Sequence, residues 1–300
     1  MKINVLQFIG SFHTGGSERQ AVQLVRLLGE RDDCRVFVAC LNREGALREE
    51  IESLGYTDFP EYKLTSFYDA NFAKQMQRSV KFLRENRIHI VQSSDFYTNV
   101  FAMTAGWLAK TPVRIAAKRE TGTRTPAQRF LEKQAFRFAG AVVANAEAVK
   151  DHLVATGVPA EKIVTVYNGL DLERLKPVQT SREKILRDFG LPVDENLQFI
   201  TLVANLRSQV KNHRMFLRAA KKVREKFGSA AFILAGEGEL SGEMKRLAGE
   251  LGWTWKHRAR GVYRVTPPGS GRARSAARAG GSRPAQTQHR PARTAGTTSH

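Results

Sequence analysis

Apolar positions in the first 170 residues fall into two alternating patterns. Short apolar runs at 3–9 (INVLQFI), 34–41, 88–92, 113–117, 141–144 and 162–167 have the length and residue types of buried strands. Between them lie segments in which apolar residues recur every three or four positions, as at Ala21, Leu24, Val25 and Leu28, the spacing of one helix face. These helical segments are 17–31, 46–54, 71–86, 97–109, 125–138 and 146–156. Such alternation predicts an α/β domain with a parallel sheet covered by helices on both faces. Its crossovers are expected to be right-handed, with a ligand crevice at the carboxyl ends of the strands.

The first strand runs into QFIGSFHTGGSERQAV. Ser17 followed by Gln20 is a capping-box pattern, which predicts a helix starting directly after Gly16. Gly15 and Gly16 then occupy the strand-to-helix turn, where glycine permits positive φ and close approach of another group. Two readings follow. The turn needs glycine for its own backbone, or the amides and positive dipole end of the helix hold an anion such as a phosphate.

Residues 168–196 carry two prolines and several turn residues around a short helix at 182–189. This composition predicts a linker, 171–196, after a first domain spanning 1–170. A second alternation follows: strand 197–205, helix 213–227, strand 230–236, helix 240–251. Two strand–helix pairs fall short of the roughly 100 residues of a full doubly wound domain, so an incomplete second Rossmann-like domain is expected over 197–252. The remainder, 253–300, is expected to be a disordered Arg-rich tail, because after Val265 it has no bulky apolar residue to bury.

That tail changes the meaning of the charge. The formal net charge is +19, and residues 258–300 contribute nine arginines with no lysine and no acid. The residue set is what GC-rich codons give when read out of frame, and a natural basic tail is the alternative. Specific nucleic-acid binding is not expected, since no aromatic residue follows Tyr263. The positive excess on residues 1–257 suits an anionic substrate or a peripheral contact with an anionic membrane, or is a solvated face.

No apolar stretch approaches the roughly 18 residues that span a bilayer, and no small-residue cleavage site follows the first apolar run. Cys34 and Cys40 share one apparent strand, CRVFVAC, which separates them by roughly 20 Å and forbids pairing. A cytoplasmic location fits best. The seven histidines show no metal-ligand spacing, and neither a metal nor a cofactor is expected.

Four stretches together resemble the retaining, nucleotide-sugar-dependent glycosyltransferases of family 4, which have the GT-B fold. They are FHTGGSERQAVQLVRLL (12–28), VVANAEAVKDHLVATGVPAEKIVTVYNGLDLERLKP (142–177), VANLRSQVKNHRMFLRAA (203–220) and FILAGEGEL (232–240). The resemblance covers about residues 1–252. It implies transfer of a sugar from a nucleotide diphosphate sugar to a glycan, lipid-linked or small-molecule acceptor. Gly15 and Gly16 are placed by it against the donor diphosphate or the acceptor, and Lys211 matches the lysine that binds that diphosphate. The arginine usually six residues before this lysine is Asn205 here; Arg207 can substitute if the strand continues that far. Gly236, Glu237 and Gly238 fall where the family holds the nucleoside.

On the acceptor side the chain departs from its relatives. VQSSDFYTN replaces a histidine-containing segment, and Arg119 and Glu120 in KRETGTRT stand near the family's catalytic histidine. Those two are catalytic candidates that could contact an acceptor or a phosphate or pair with each other, and His13 is an acceptor-side candidate. The family's two glutamates flanking seven residues have no counterpart, since nothing after Glu250 is acidic. The resemblance therefore implies a transferase whose activity in this chain is impaired, with a non-catalytic binding module as the alternative.

Overall fold

Residue contacts divide the protein into two units, 1–175 and 176–300. The computed structural model describes residues 2–122, 124–172, 176, 179–207, 209–259 and 262–266.

The first unit runs β1 (Ile3–Ile9), α1 (Gly16–Gly29), β2 (Cys34–Cys40), α2 (Leu47–Ser53), α3 (Ala70–Glu85), β3 (Ile90–Ser93) and α4 (Phe96–Ala109). It continues with β4 (Val113–Lys118), α5 (Pro126–Phe138), β5 (Ala141–Ala144), α6 (Glu147–Ala155) and β6 (Ile163–Thr165). All six strands are parallel, in the order β2-β1-β3-β4-β5-β6. Val5 of β1 faces Val36 on one side and Ile90 of β3 on the other. The order of connection reverses at this β1/β3 junction, and a doubly wound sheet opens its crevice at such a point.

Strand pleating sends alternate residues of β1 into different cores. Leu6 and Phe8 join a cluster with Met76 and Leu83 of α3, Phe101 of α4 and Phe136 of α5. Ile9 packs instead with Val22 and Val25 of α1, Val38 and Cys40 of β2, and Ile51 of α2. Helices therefore cover both faces, as the apolar pattern predicts. Both cysteines are free.

The second unit contains α7 (Arg182–Asp188), β7 (Gln198–Val203), α8 (His213–Lys226), β8 (Ala230–Ala235), α9 (Ser241–Glu250), β9 (Thr254–Ala259) and β10 (Val262–Thr266). Its sheet has the order β7-β8-β10-β9. β7 and β8 are parallel, whereas β10 is antiparallel to both β8 and β9.

Two sequence expectations are corrected here. The linker expected over 171–196 is not separate from the second domain, because Leu186 and Leu191 pack with Ile233 of β8 and Phe199 of β7. Nor does the irregular tail begin at 253. β9 and β10 extend the sheet to Thr266, and Trp253 and Val265 join a core with Phe232 and Leu217. The sheet edge left by β8 accepts β10 through backbone hydrogen bonds, for which the Arg-rich composition is no obstacle. Residues 267–300 of the expected tail lie outside the described residues.

Candidate functional site

The first unit carries a crevice of about 840 Å³, lined from β1 and its following turn (Gly10, Ser11), α1 (Glu18), β3–α4 (Asp95, Phe96, Tyr97) and the loop after β4 (Glu120, Arg124), among others. It lies at the β1/β3 switch point expected for this topology.

Asp95 follows β3 and caps α4. Its Oδ1 accepts the Thr98 backbone N–H at 3.0 Å, while the Asp95 N–H donates to Thr98 Oγ1 at 3.1 Å, a reciprocal box that fixes the carboxylate. The other oxygen, Oδ2, presses on Gly10, where a Cβ would lie 2.7 Å away. Burial raises the Asp95 carboxyl above its usual range, opposed by hydrogen bonds from the α4 N-terminus.

Glu18 lies in the first turn of α1, and its carboxylate folds back over Gly15. A Cβ on Gly15 would meet Glu18 Oε2 at 2.0 Å. Burial again raises this carboxyl; the Asp95 charge adds to the rise, while its own backbone amide, His13 and Arg119 oppose it. The crevice thus holds two electrostatically coupled carboxylates, both displaced toward the protonated form. Arg119 faces Glu18, and burial disfavours its charge. Its Nη1 donates to Asn168 Oδ1 at 2.6 Å.

Buried side-chain atoms without a hydrogen-bond partner include Arg119 Nε, Arg124 Nε and Asn145 Oδ1. Arg119 and Asn145 directly follow β4 and β5, and Arg124 lies in the loop between β4 and α5; orphaned polar atoms of this kind mark places where water or a polar ligand completes the bonding. Below them Lys118, the last residue of β4, makes a buried ion pair with Glu132 of α5, Nζ to both carboxylate oxygens at 2.8 Å. Arg124 extends the pair toward the crevice: its Nε is 3.8 Å from Glu132, it pairs with Glu120, and its guanidinium lies 4.8 Å over the Phe96 ring.

Several sequence-level details change on contact with this geometry. Helix α1 begins at Gly16 with Gly15 as its N-cap, at φ −94°, without a side-chain cap. Ser17 and Gln20 form no capping box, because the Gln20 amide is committed to Gly169, donating to its carbonyl at 2.7 Å and accepting its N–H at 3.0 Å. Neither Gly15 nor Gly16 takes a positive φ. At Gly15 glycine is required by the close approach of Glu18, and the anion folded back over the start of α1 is that carboxylate. The Gly15 amide donates to the His13 carbonyl at 2.8 Å, while Gly16 faces open space. Arg119 and Glu120 do not pair with each other; each has its own partner, Asn168 and Arg124. Sequence reasoning missed Asp95 and Glu18 as site residues. The signals available were the D-x-x-T cap after a strand and the glutamate that follows the paired glycines.

In the second unit the segment GEG, 236–238, is locked by backbone contact. Gly236 (φ +154°) and Gly238 (φ +157°) lie against residues 204–207, where a Cβ would come within 1.9 Å of the Ala204 oxygen and 2.3 Å of the Leu206 carbonyl carbon. The Leu206 N–H donates to the Glu237 carbonyl at 2.9 Å, and the Leu240 N–H to the Leu206 carbonyl at 2.8 Å. Arg207 is exposed in this clamp, but β7 ends at Val203, so the condition that would align it with Asn205 along a strand fails. Its backbone nevertheless packs on Gly238. Lys211 is exposed at the end of a short 3₁₀ turn, and Asn212, at φ 49°, caps α8 by accepting the Met215 N–H.

A sequence model described as Glycosyltransferase Family 4 matches residues 14–174. The chain belongs to glycosyltransferase family 4. It is 27% identical over 260 residues to a Bacillus subtilis (strain 168) protein named as the glycosyltransferase EpsF, covering 81% of this chain but 64% of that one. The chain therefore spans less than two thirds of this relative's length. Among solved structures, Anabaena Alr3699/HepE in complex with UDP and glucose aligns with TM-score 0.70 and 18% identity over 83% of this chain and 66% of that chain. The apo lipopolysaccharide outer core galactosyltransferase WaaB aligns with TM-score 0.55 and 15% identity, over 84% and 65%. These likenesses establish a GT-B-like fold built from Rossmann-like units. Among the described residues no helix is long and apolar enough to cross a membrane.

Proposed function

We propose that this family 4 chain takes part in moving a sugar from a nucleotide diphosphate sugar to an acceptor, with retention of configuration. The observation that carries the proposal is the switch-point crevice of the family-matched unit, where Asp95 and Glu18 form a polar floor against Gly10 and Gly15. Carboxyls raised by burial suit hydrogen bonding to an acceptor hydroxyl, with His13, Arg119 and Glu120 beside them. Lys211 would stabilise negative charge on the departing diphosphate as the glycosidic bond breaks. The backbone-locked Gly236–Glu237–Gly238 turn would allow close approach of the donor nucleoside. Uridine is the base to try first, since HepE was crystallised with UDP and with UDP-glucose.

The reading has two parts, donor binding and sugar transfer. The test separates the two. Thermal shift and calorimetry with UDP and UDP-glucose read binding, and mass spectrometry of glycoside mixtures reads transfer. UDP should raise the melting temperature, and Lys211→Ala should weaken UDP binding about tenfold, or about 1.4 kcal/mol. Absence of any UDP effect, or an unchanged affinity in Lys211→Ala, would overturn the donor assignment. Glycoside binding without any donor binding would favour a non-catalytic module.

A further inference from the structure

We propose that two copies of this chain pair through β7, antiparallel about a two-fold axis at Thr201, so that their second-unit sheets join into one. β7 reads QFITLV and is apolar at Phe199, Ile200, Leu202 and Val203, the composition of a strand covered on both faces inside a sheet. It stands instead at the edge of the order β7-β8-β10-β9. None of its residues is buried, whereas its neighbour β8 is buried from Ala230 to Leu234. Ile200 is 40% exposed and Val203 79%.

The other sheet edges have protections that β7 lacks. β2 carries Arg35, and its carboxyl end is covered by the segment at 60–62: the Cys40 N–H donates to the Pro60 carbonyl at 3.1 Å, and the Tyr62 N–H to the Cys40 carbonyl at 2.9 Å. β6 is only three residues long, and β9 carries Lys256 and Arg258. β7 has no charge and no proline, and among the described residues no segment covers its outer edge.

The backbone geometry selects the occupant. The N–H groups of Gln198 and Ala204 donate to the Ser229 and Ala235 carbonyls at 3.0 and 2.9 Å. Even-numbered residues therefore turn their backbone groups toward β8, and Phe199, Thr201 and Val203 turn theirs outward. This outward set is symmetric about Thr201. An antiparallel copy sets Thr201 opposite Thr201 and Phe199 opposite Val203, each pair exchanging both backbone bonds, with Ile200 opposite Leu202 between them. The faces also agree, because a two-fold axis normal to the sheet keeps each face on its own side. Leu202, on the face covered by α8 and α9, meets the exposed Ile200, and Phe199, on the face covered by α7, meets the exposed Val203. No like charges face each other along the strand, and the contact closes at two copies with neither β7 edge left open.

Sedimentation equilibrium of the full chain over roughly 1–100 μM, the affinity range of a small interface, tests this. About 0.3 M salt screens the formal charge of +19 beyond roughly 6 Å and leaves contacting charges effective. The expected result is a reversible monomer–dimer equilibrium. Thr201→Lys and Thr201→Glu each set like charges directly opposite across the axis and should weaken association about threefold or more. An equimolar mixture of the two should restore it. Thr201 is exposed, so both variants should fold, which the melting temperature checks, and misfolded chains would not recover on mixing. Cross-linking tests the register independently. Opposite residues of a hydrogen-bonded pair have Cα atoms about 5.5 Å apart, within disulfide reach, so oxidised Thr201→Cys should form a covalent dimer in a Cys34→Ser background, and Gln198→Cys should not. A monomer at every concentration, association unchanged in Thr201→Lys, no recovery on mixing, or cross-linking at Gln198→Cys but not at Thr201→Cys would overturn the proposal.

Discussion

Replacing Glu132 by glutamine should cost the first unit about 3–5 kcal/mol, because it leaves the buried Lys118 without its counter-charge. That lysine side chain is 3% exposed and donates to both Glu132 oxygens at 2.8 Å. At this distance and an effective dielectric near 20, the attraction is about 6 kcal/mol, set against several kcal/mol of desolvation for each ion. The intact pair is therefore close to balanced. Removing one partner is not, because glutamine keeps the volume but leaves a buried ammonium uncompensated. Lys118→Met should cost less, since Glu132 retains the Arg124 Nε at 3.8 Å. The double variant Lys118→Met/Glu132→Gln removes both charges and should recover most of the loss. Urea unfolding of the four proteins gives each stability and the coupling energy. A Glu132→Gln variant within about 1 kcal/mol of the parent would refute the reasoning, as would strict additivity of the two single losses.

Two further outcomes follow from the site geometry. Asp95→Asn keeps the α4 cap but removes a carboxyl that burial raises. The folded parent retains a proton that the unfolded chain releases, so its stability falls as pH rises from the ordinary carboxylate range through the raised value. The variant lacks this loss, so its stability relative to the parent should grow across that window, and Glu18 should titrate lower in carbon NMR once the Asp95 charge is gone; a pH-independent difference would contradict this. Gly238→Ala places a Cβ 2.3 Å from the Leu206 carbonyl carbon at φ +157°, so it should destabilise the second unit by about 1–3 kcal/mol and weaken UDP binding. Unchanged hydrogen exchange at Leu206 and Leu240 would show that the clamp does not exist.

The sequence by itself determined the element series of the first unit and the family. Period-two and period-3.6 patterns are written locally, so β1 and β5 fall on the expected residues, and Ile3–Ile9 and Ala141–Ala144 need no tertiary information to be recognised as buried strands. Which local hydrogen bond wins is not written there. Ser17 and Gln20 satisfy the capping pattern, yet Gly169, nearly 150 residues away, takes the Gln20 amide instead. Only the tertiary structure joined Asp95 to Gly10 and Glu18, because strand order, not sequence distance, decides which carboxyl ends meet. The same holds for β10, whose pairing to β8 gives a short run in an Arg-rich segment a place in the sheet. Local pattern chooses the element; the partner across the sheet, and the water it excludes, chooses the chemistry.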